Sequence, residues 1–112
     1  MKRGEVWRVR MPAVPGHTQA GERPAIIVQD ESFNLLLPTV LIVPFTSTQR
    51  TTRFPGTLLV QPDQQNGLIM PSVALVFQLS ALDRRNCLAR LGELDPATLD
   101  KVFDLLDQLS GR

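Results

Sequence analysis

The residues best suited to chemistry lie in two short polar segments, each next to an apolar run. The first segment, residues 16–24, holds Arg23 and the only histidine of the chain, His17. The second, residues 46–50, opens with Thr46 and follows a strongly apolar run. Binding and catalytic side chains concentrate in loops that rigid strands hold in place. We therefore expect the two segments to converge on one phosphate group.

A guanidinium, a hydroxyl and an imidazole can together cleave RNA, because RNA carries its own nucleophile in the 2′-OH. Arg23 offers a planar fork that matches phosphate geometry. One such donor, placed where charge develops, is worth about 2.7–4 kcal/mol in other enzymes. Thr46 can donate or accept a hydrogen bond, and His17 titrates near neutrality and can move a proton. None of these steps requires a metal ion.

Each of these residues also has an ordinary structural explanation. Arg23 can pair with a carboxylate such as Glu22 or Glu5. Thr46 can form a turn at a strand end, and His17 can be a surface residue of its loop. Taken singly, none of the three establishes a function.

The size and composition of the chain exclude several classes of protein. It has 112 residues, so we expect one domain over residues 1–112. It contains no apolar run of about 20 residues, as a membrane span needs, and we expect no signal peptide. Cys87 is the only cysteine, which rules out an internal disulfide and fits a reducing cytoplasm. One cysteine and one histidine do not make a usual zinc site, and we expect neither metal nor cofactor.

The net charge of +1 hides an uneven distribution. Residues 1–92 hold ten Lys and Arg against six Asp and Glu, whereas residues 93–112 hold two against five. A basic body can attract phosphate groups. Such a small surplus can equally belong to an ordinary solvated surface.

Hydrophobic patterning predicts many short strands. Charged residues alternate with apolar ones at 5–10, which is typical of a half-buried strand. Apolar runs predict further strands at residues 23–29, 39–45, 57–60, 72–79 and 87–91. Short strands separated by Gly and Pro turns favour a small barrel or sandwich, here over residues 1–92.

The last part of the chain has a helical pattern. Asp95 is a good N-cap, Pro96 suits the first helical position, and Gly111 can end the helix. Between them the apolar residues recur at the period of one helix face. We therefore predict one amphipathic helix over residues 95–110 that packs on the strands.

Four segments of the sequence resemble the MazF/PemK toxins of bacterial toxin–antitoxin pairs. They are residues 2–7 (KRGEVW), 15–25 (PGHTQAGERPA), 43–47 (VPFTS) and the C-terminal half from 72 to 94. The resemblance implies a mainly β fold, an SH3-like β-barrel of the MazF/PemK/CcdB type with a C-terminal helix, usually in a homodimer. It also implies a metal-independent endoribonuclease that acts on single-stranded RNA, including mRNA, and is neutralised by a cognate antitoxin with an acidic, flexible segment.

The resemblance also assigns roles to residues by position. Arg23 and Thr46 match the catalytic residues of the family, and His17 is expected to share in acid–base catalysis. Cleavage by the 2′-OH would leave a 2′,3′-cyclic phosphate and a 5′-OH. Further candidates to bind the substrate are Ser47, Thr18, Gln19, Arg50, Arg53 and Gln78.

Two departures from the family pattern leave a second hypothesis open. Many members carry a glutamate where this chain has Thr18, and an acid where Phe77 precedes Gln78. The alternative is a non-catalytic barrel that binds RNA without cleaving it, or that acts by protein contact like the related gyrase-inhibiting toxins. A gyrase inhibitor should depend on residues 109–112 instead of on Arg23.

Overall fold

The computed structural model describes residues 1–12 and 21–112. Within them, seven strands form one antiparallel sheet that is followed by a C-terminal helix. The elements are β1 (Glu5–Met11), β2 (Gly21–Ile27), β3 (Thr39–Thr46), β4 (Thr57–Val60), β5 (Ser72–Leu75), β6 (Ser80–Asp83), β7 (Cys87–Glu93) and α1 (Pro96–Ser110).

The strand order is β4-β5-β3-β2-β1-β7, and β6 also pairs with β3. In the described part of the chain the edge strands β4 and β7 do not pair with each other, so the sheet is open and the word barrel applies only loosely. The predicted class, mainly β with a C-terminal helix, is confirmed. The predicted site residues His17, Thr18 and Gln19 lie outside the described residues.

Strands β2 and β3 are buried on both faces. Ile26 and Ile27 are adjacent and fully buried, but they belong to different apolar clusters, one on each face of the sheet. Val43 and Ile42 of β3 divide in the same way. Because both faces are buried, apolar residues follow one another along these strands instead of alternating with polar residues.

Helix α1 covers one of the two clusters. The Asp95 side chain accepts a hydrogen bond from the backbone N–H of Thr98 at 3.0 Å, which caps the first turn. Val102 is fully buried, and Leu99, Phe103 and Leu106 pack against the same cluster. The predicted helix is therefore confirmed.

The predicted single strand over residues 72–79 is wrong in its second half. The chain leaves β5 at Leu75, makes one 3-10 turn at Val76–Gln78 and continues as β6. Both strands pair with β3, β5 with its last residues and β6 with its first four. The turn shifts the chain from the end of β3 to its beginning. Hydrophobic patterning does not reveal this turn, because apolar residues continue through it.

A buried carboxylate joins the first strand to the last. Glu5 is 8% exposed and accepts hydrogen bonds from the backbone N–H of Lys2 (2.9 Å), Trp7 Nε1 (3.0 Å) and Arg90 Nε (2.8 Å). Burial alone would raise the pKa of Glu5, but these donors outweigh it and lower the pKa to about 2. Arg90 lies on β7, so this network fixes β7 against β1.

The Glu5 network predicts an acid-dependent loss of stability. Because the folded pKa lies below the ordinary value, the carboxylate stabilises the fold fully above about pH 5 and loses that effect as the pH falls towards about 2. Glu5→Gln should lower the free energy of unfolding by about 1–2 kcal/mol near neutral pH and flatten this pH dependence. Urea unfolding at several pH values measures both effects.

Glu93→Gln is the matched control for this experiment. Its carboxylate is half exposed and lies 3.9 Å from the same arginine, Arg90. Such a pair contributes less than about 1 kcal/mol. Equal losses of stability in Glu5→Gln and Glu93→Gln would contradict the role given to the buried network.

Gly67 holds the loop between β4 and β5 close to β7. Its φ is +72°, and a Cβ built on it would lie 2.1 Å from the carbonyl oxygen of Leu91. Gly67→Ala should therefore destabilise the fold by about 2–4 kcal/mol, measured by urea unfolding. Gly111→Ala is the control, since Gly111 has a φ of +78° but open space around it, and should cost only about 1 kcal/mol. Similar losses in the two variants would show that crowding at Leu91 is unimportant.

Candidate active site

A pocket of about 280 Å³ opens where β2 begins and β3 ends. We call it the Arg23 pocket. The segment between β4 and β5 closes its third side. Its lining consists of Glu22, Arg23, Pro24, Phe45, Thr46, Ser47, Leu68, Ile69, Met70 and Ser72.

Arg23 and Thr46 lie just beyond the ladder that joins β2 and β3, and both line the Arg23 pocket. The last pair of this antiparallel ladder is Ala25 with Pro44, and Arg23 and Thr46 are each two residues further along their strands. The Nη1 of Arg23 donates a hydrogen bond to the carbonyl oxygen of Phe45 at 3.4 Å. The guanidinium thus lies at the end of β3, where Thr46 and Ser47 carry hydroxyl groups. We call this end of β3 the corner.

Arg23 lies half-buried at the edge of the core. Burial lowers the pKa of its guanidinium below the ordinary value, although the group remains protonated near neutral pH. A cation that is partly removed from water interacts more strongly with an incoming anion than an exposed one. This position therefore suits the binding of a phosphate better than a fully solvated arginine would.

Thr46 ends β3 with its hydroxyl at the pocket. Its Oγ1 accepts a hydrogen bond from the backbone N–H of Thr48 at 3.2 Å, which fixes the oxygen and leaves the hydroxyl hydrogen able to donate. Ser47 follows it, is exposed and lines the same pocket. The corner thus presents two hydroxyl groups beside one guanidinium.

The remaining substrate-binding candidates lie away from this lining. Of the described residues predicted for that role, only Ser47 lines the pocket. Arg50 and Arg53 are exposed on the 3-10 turn Gln49–Arg53 that follows the corner, and the Arg53 guanidinium carbon lies 5.1 Å from the ring centre of Phe54. Gln78 is half-buried in the turn after β5.

Sequence reasoning missed the apolar side of the pocket. Leu68, Ile69 and Met70 line it, and Ile69 is 94% exposed. The preceding Asn66-Gly67 pair predicts a turn. The hydrophobic periodicity does not show that the side chains after this turn reach a pocket formed at β2 and β3. An isoleucine so exposed at the rim of a polar pocket is itself a signal of binding.

Phe77 lies at the position where the resemblance predicts an acid. Its ring is exposed and lies 6.1 Å from that of Phe54, at an interplanar angle of 56°. This position therefore offers an apolar surface and no proton-transfer group.

Two general features bear on the class of protein. Across residues 1–12 and 21–112, no helix has the length and apolar character needed to cross a bilayer. The same residues contain no cluster of three or more His, Cys, Asp or Glu side chains that could hold a metal ion.

Sequence comparison finds relatives over nearly the whole chain. The relatives include "Endoribonuclease EndoA" of Bacillus subtilis, which is 26% identical over 106 residues, covering 95% of this chain and 90% of the relative. "Endoribonuclease MazF" of Staphylococcus saprophyticus is 27% identical over 107 residues, covering 96% of this chain and 88% of the relative.

Structure comparison gives the same result. The fold is similar to the crystal structure of MazF (Form-I) from Deinococcus radiodurans, with a TM-score of 0.82, 25% identity and coverage of 100% of this chain and 97% of the other. It is also similar to an endoribonuclease in complex with its cognate antitoxin from Mycobacterial species, with a TM-score of 0.76, 25% identity and coverage of 99% and 95%.

The model of the family described as "PemK-like, MazF-like toxin of type II toxin-antitoxin system" matches residues 2–110. This match agrees with the open antiparallel sheet and the C-terminal helix. The chain belongs to the PemK/MazF-like family of type II toxins.

Proposed function

We propose that this chain is a toxin that cleaves single-stranded RNA, mRNA above all, in the cytoplasm and without a metal ion. The observation that carries the proposal is the pocket that Arg23 and Thr46 both line. Relatives named as endoribonucleases, similar over 95% of the chain, support the same activity.

The chemistry follows from what these side chains can do to a phosphodiester. The ribose 2′-oxygen forms a bond to phosphorus, and the bond from phosphorus to the 5′-oxygen breaks. The products are a 2′,3′-cyclic phosphate and a 5′-OH. A base removes the proton of the 2′-OH, and an acid returns a proton to the leaving oxygen. Arg23 binds the phosphoryl oxygens where negative charge grows, and Thr46 donates a hydrogen bond to the same group.

Proton transfer falls to His17 in this proposal. Arg23 stays protonated and acts electrostatically. Two positions at which family members often carry acids hold Thr18 and Phe77 here, and Phe77 packs its exposed ring against Phe54. Imidazole is the side chain that ordinarily changes protonation near neutral pH, which suits proton transfer. His17 belongs to the segment outside the described residues.

The RNA strand on either side of the cleaved bond needs further contacts. We assign these to Ser47 in the pocket, to Arg50 and Arg53 on the exposed turn after it, and to Gln78. Thr18 and Gln19 complete the set. Arg50 and Arg53 are exposed and follow Thr46 along the chain. Their positive charge can therefore attract the RNA strand as it leaves the site.

Two partners belong to the same proposal. A cognate antitoxin with an acidic, flexible segment would occupy the Arg23 pocket, and one solved neighbour is an endoribonuclease in complex with its cognate antitoxin. A homodimer is supported by five large apolar side chains exposed in the segment after β2 and on β3, since exposed apolar surface marks interfaces. These side chains are Phe33, Leu35, Leu36, Leu37 and Leu41.

One observation favours the non-catalytic alternative. Leu109, near the end of α1, is half-exposed next to Gly56 and Phe77. This apolar patch would suit a protein partner that binds the last helical turn. If toxicity depends on Leu109 and persists in Arg23→Ala, the protein acts by contact and not by cleavage.

Cleavage of single-stranded RNA by the purified protein in EDTA tests the proposal. Arg23→Ala should lower kcat/KM by about 10²–10³-fold, and Thr46→Val by about tenfold or more, because each removes a donor to the phosphoryl oxygens. Mass spectrometry of the products should show 2′,3′-cyclic phosphate ends.

Arg85→Ala is the control for the loss of one positive charge. Arg85 is largely exposed, pairs with Asp83 at 3.0 Å and does not line the pocket, so cleavage should continue unchanged. Full activity of Arg23→Ala would overturn the assignment of the site. Activity that EDTA abolishes would overturn metal independence.

The antitoxin proposal predicts a genetic neighbour. A short reading frame upstream should encode a protein with an acidic segment that co-purifies with this chain and blocks cleavage. Arg23→Ala should weaken that complex, because the acidic segment loses its cation in the pocket. A neighbouring protein that binds Arg23→Ala as tightly as the wild type would place the antitoxin elsewhere.

A further inference from the structure

Two arginines of β1 share one carboxylate of β2 at the edge of the Arg23 pocket. Arg8 Nε lies 3.3 Å from Glu22 Oε1, and Arg10 Nη2 lies 3.6 Å from Glu22 Oε2. Glu22 is directly opposite Arg10 in the β1–β2 ladder, and Arg8 lies two residues away on the same face. We call these three residues the arginine cluster.

A second pocket, also of about 280 Å³, connects this cluster to the candidate active site. Arg8 and Leu91 line its far side. It shares Glu22, Arg23, Pro24, Leu68 and Ile69 with the Arg23 pocket. The two pockets therefore form one groove across the start of β2, with Thr46 at one end and Arg8 at the other.

The ion pairs of the arginine cluster are weak enough for another anion to replace Glu22. Its side chains are 51% (Arg8), 60% (Arg10) and 47% (Glu22) exposed, and ion pairs this exposed contribute little stability. One carboxylate also leaves two guanidinium groups with a net positive charge. A phosphate can accept bidentate hydrogen bonds from arginine and carries its own negative charge, so it can compete with Glu22.

We propose that Arg8 and Arg10 bind the RNA backbone at a phosphate beyond the one that Arg23 holds, in competition with Glu22. The inference rests on the proposed endoribonuclease function. Ile69, which is 94% exposed and lines both pockets, offers its apolar side chain to the base between the two phosphates. Arg8, Arg10 and Ile69 are thus positioning residues that set how the strand enters the site.

The continuity of the groove favours RNA over an acidic protein segment. A strand with a phosphate at Arg23 must continue in one of two directions, and one of them leads along the groove past Ile69 to Arg8. Alternating charged and apolar contacts match alternating phosphates and bases.

Binding of a single-stranded 2′-O-methyl RNA, which lacks the nucleophile, tests the inference with the full chain. The double variant Arg8→Gln/Arg10→Gln should bind several-fold more weakly, and the slope of log Kd against log salt should fall by about 0.7 for each lost phosphate contact. Glu22→Gln should bind more tightly than the wild type, because the competing carboxylate is gone. In cleavage, the double variant should raise KM and leave kcat nearly unchanged.

Arg85→Gln is the control, because it removes an exposed arginine from an ion pair outside the groove. It should alter neither the affinity nor the salt slope. Thermal unfolding of every variant checks that the β1–β2 hairpin remains folded.

Three results would overturn the inference, and each has a different meaning. If the wild type cleaves RNA but the double variant keeps its affinity and salt slope, Arg8 and Arg10 do not bind the strand and the proposed function stands. If Glu22→Gln weakens binding as much as the double variant does, the cluster only holds the hairpin together. If the wild type neither binds nor cleaves RNA, the proposed function and the inference fail together.

Discussion

The antiparallel ladder between β2 and β3 determines the whole site. Its last pair is Ala25 with Pro44, and Arg23 and Thr46 each lie two residues beyond that pair on their strands. A shift by one residue would turn every side chain of one strand to the opposite face. Ile26, Ile27 and their partners on β3 are buried on both faces of the sheet, so such a shift would expose apolar groups and bury polar ones. The packing of two apolar clusters thus fixes the two strand ends that carry Arg23 and Thr46.

The site lies where this buried ladder meets solvent. Arg23 is partly desolvated by the core below it, yet it lines an open pocket. Gly67 keeps the third wall in place, because only a residue without Cβ can approach the Leu91 carbonyl so closely. The cationic group and the hydroxyl are therefore carried by strand ends, and the apolar wall is carried by a loop tied to β7. Sites on such rigid elements lose little free energy in ordering themselves around a substrate.

Local signals in the sequence predicted much of the architecture. Asp95, Pro96 and Gly111 delimit the helix by capping chemistry that needs no tertiary contact, and the structure places them as expected. Sequence and resemblance together singled out Arg23 and Thr46. The break at Val76–Gln78 was missed, because apolar residues continue through it and the strands on either side, β5 and β6, both pair with β3. Ile69 and the arginine cluster were missed for a related reason. Their position around the groove depends on which strands are neighbours in the sheet. The hydrophobic periodicity of a single segment does not contain that information.

A double-mutant cycle in RNA cleavage measures the central claim, that Arg23 and Thr46 act on one phosphate. Arg23→Ala, Thr46→Val and the double variant are compared by kcat/KM in EDTA. We expect strong coupling, with the double variant only slightly slower than Arg23→Ala, because residues that act as a unit are non-additive. Losses that simply multiply would mean that the two side chains act independently and not on one phosphate.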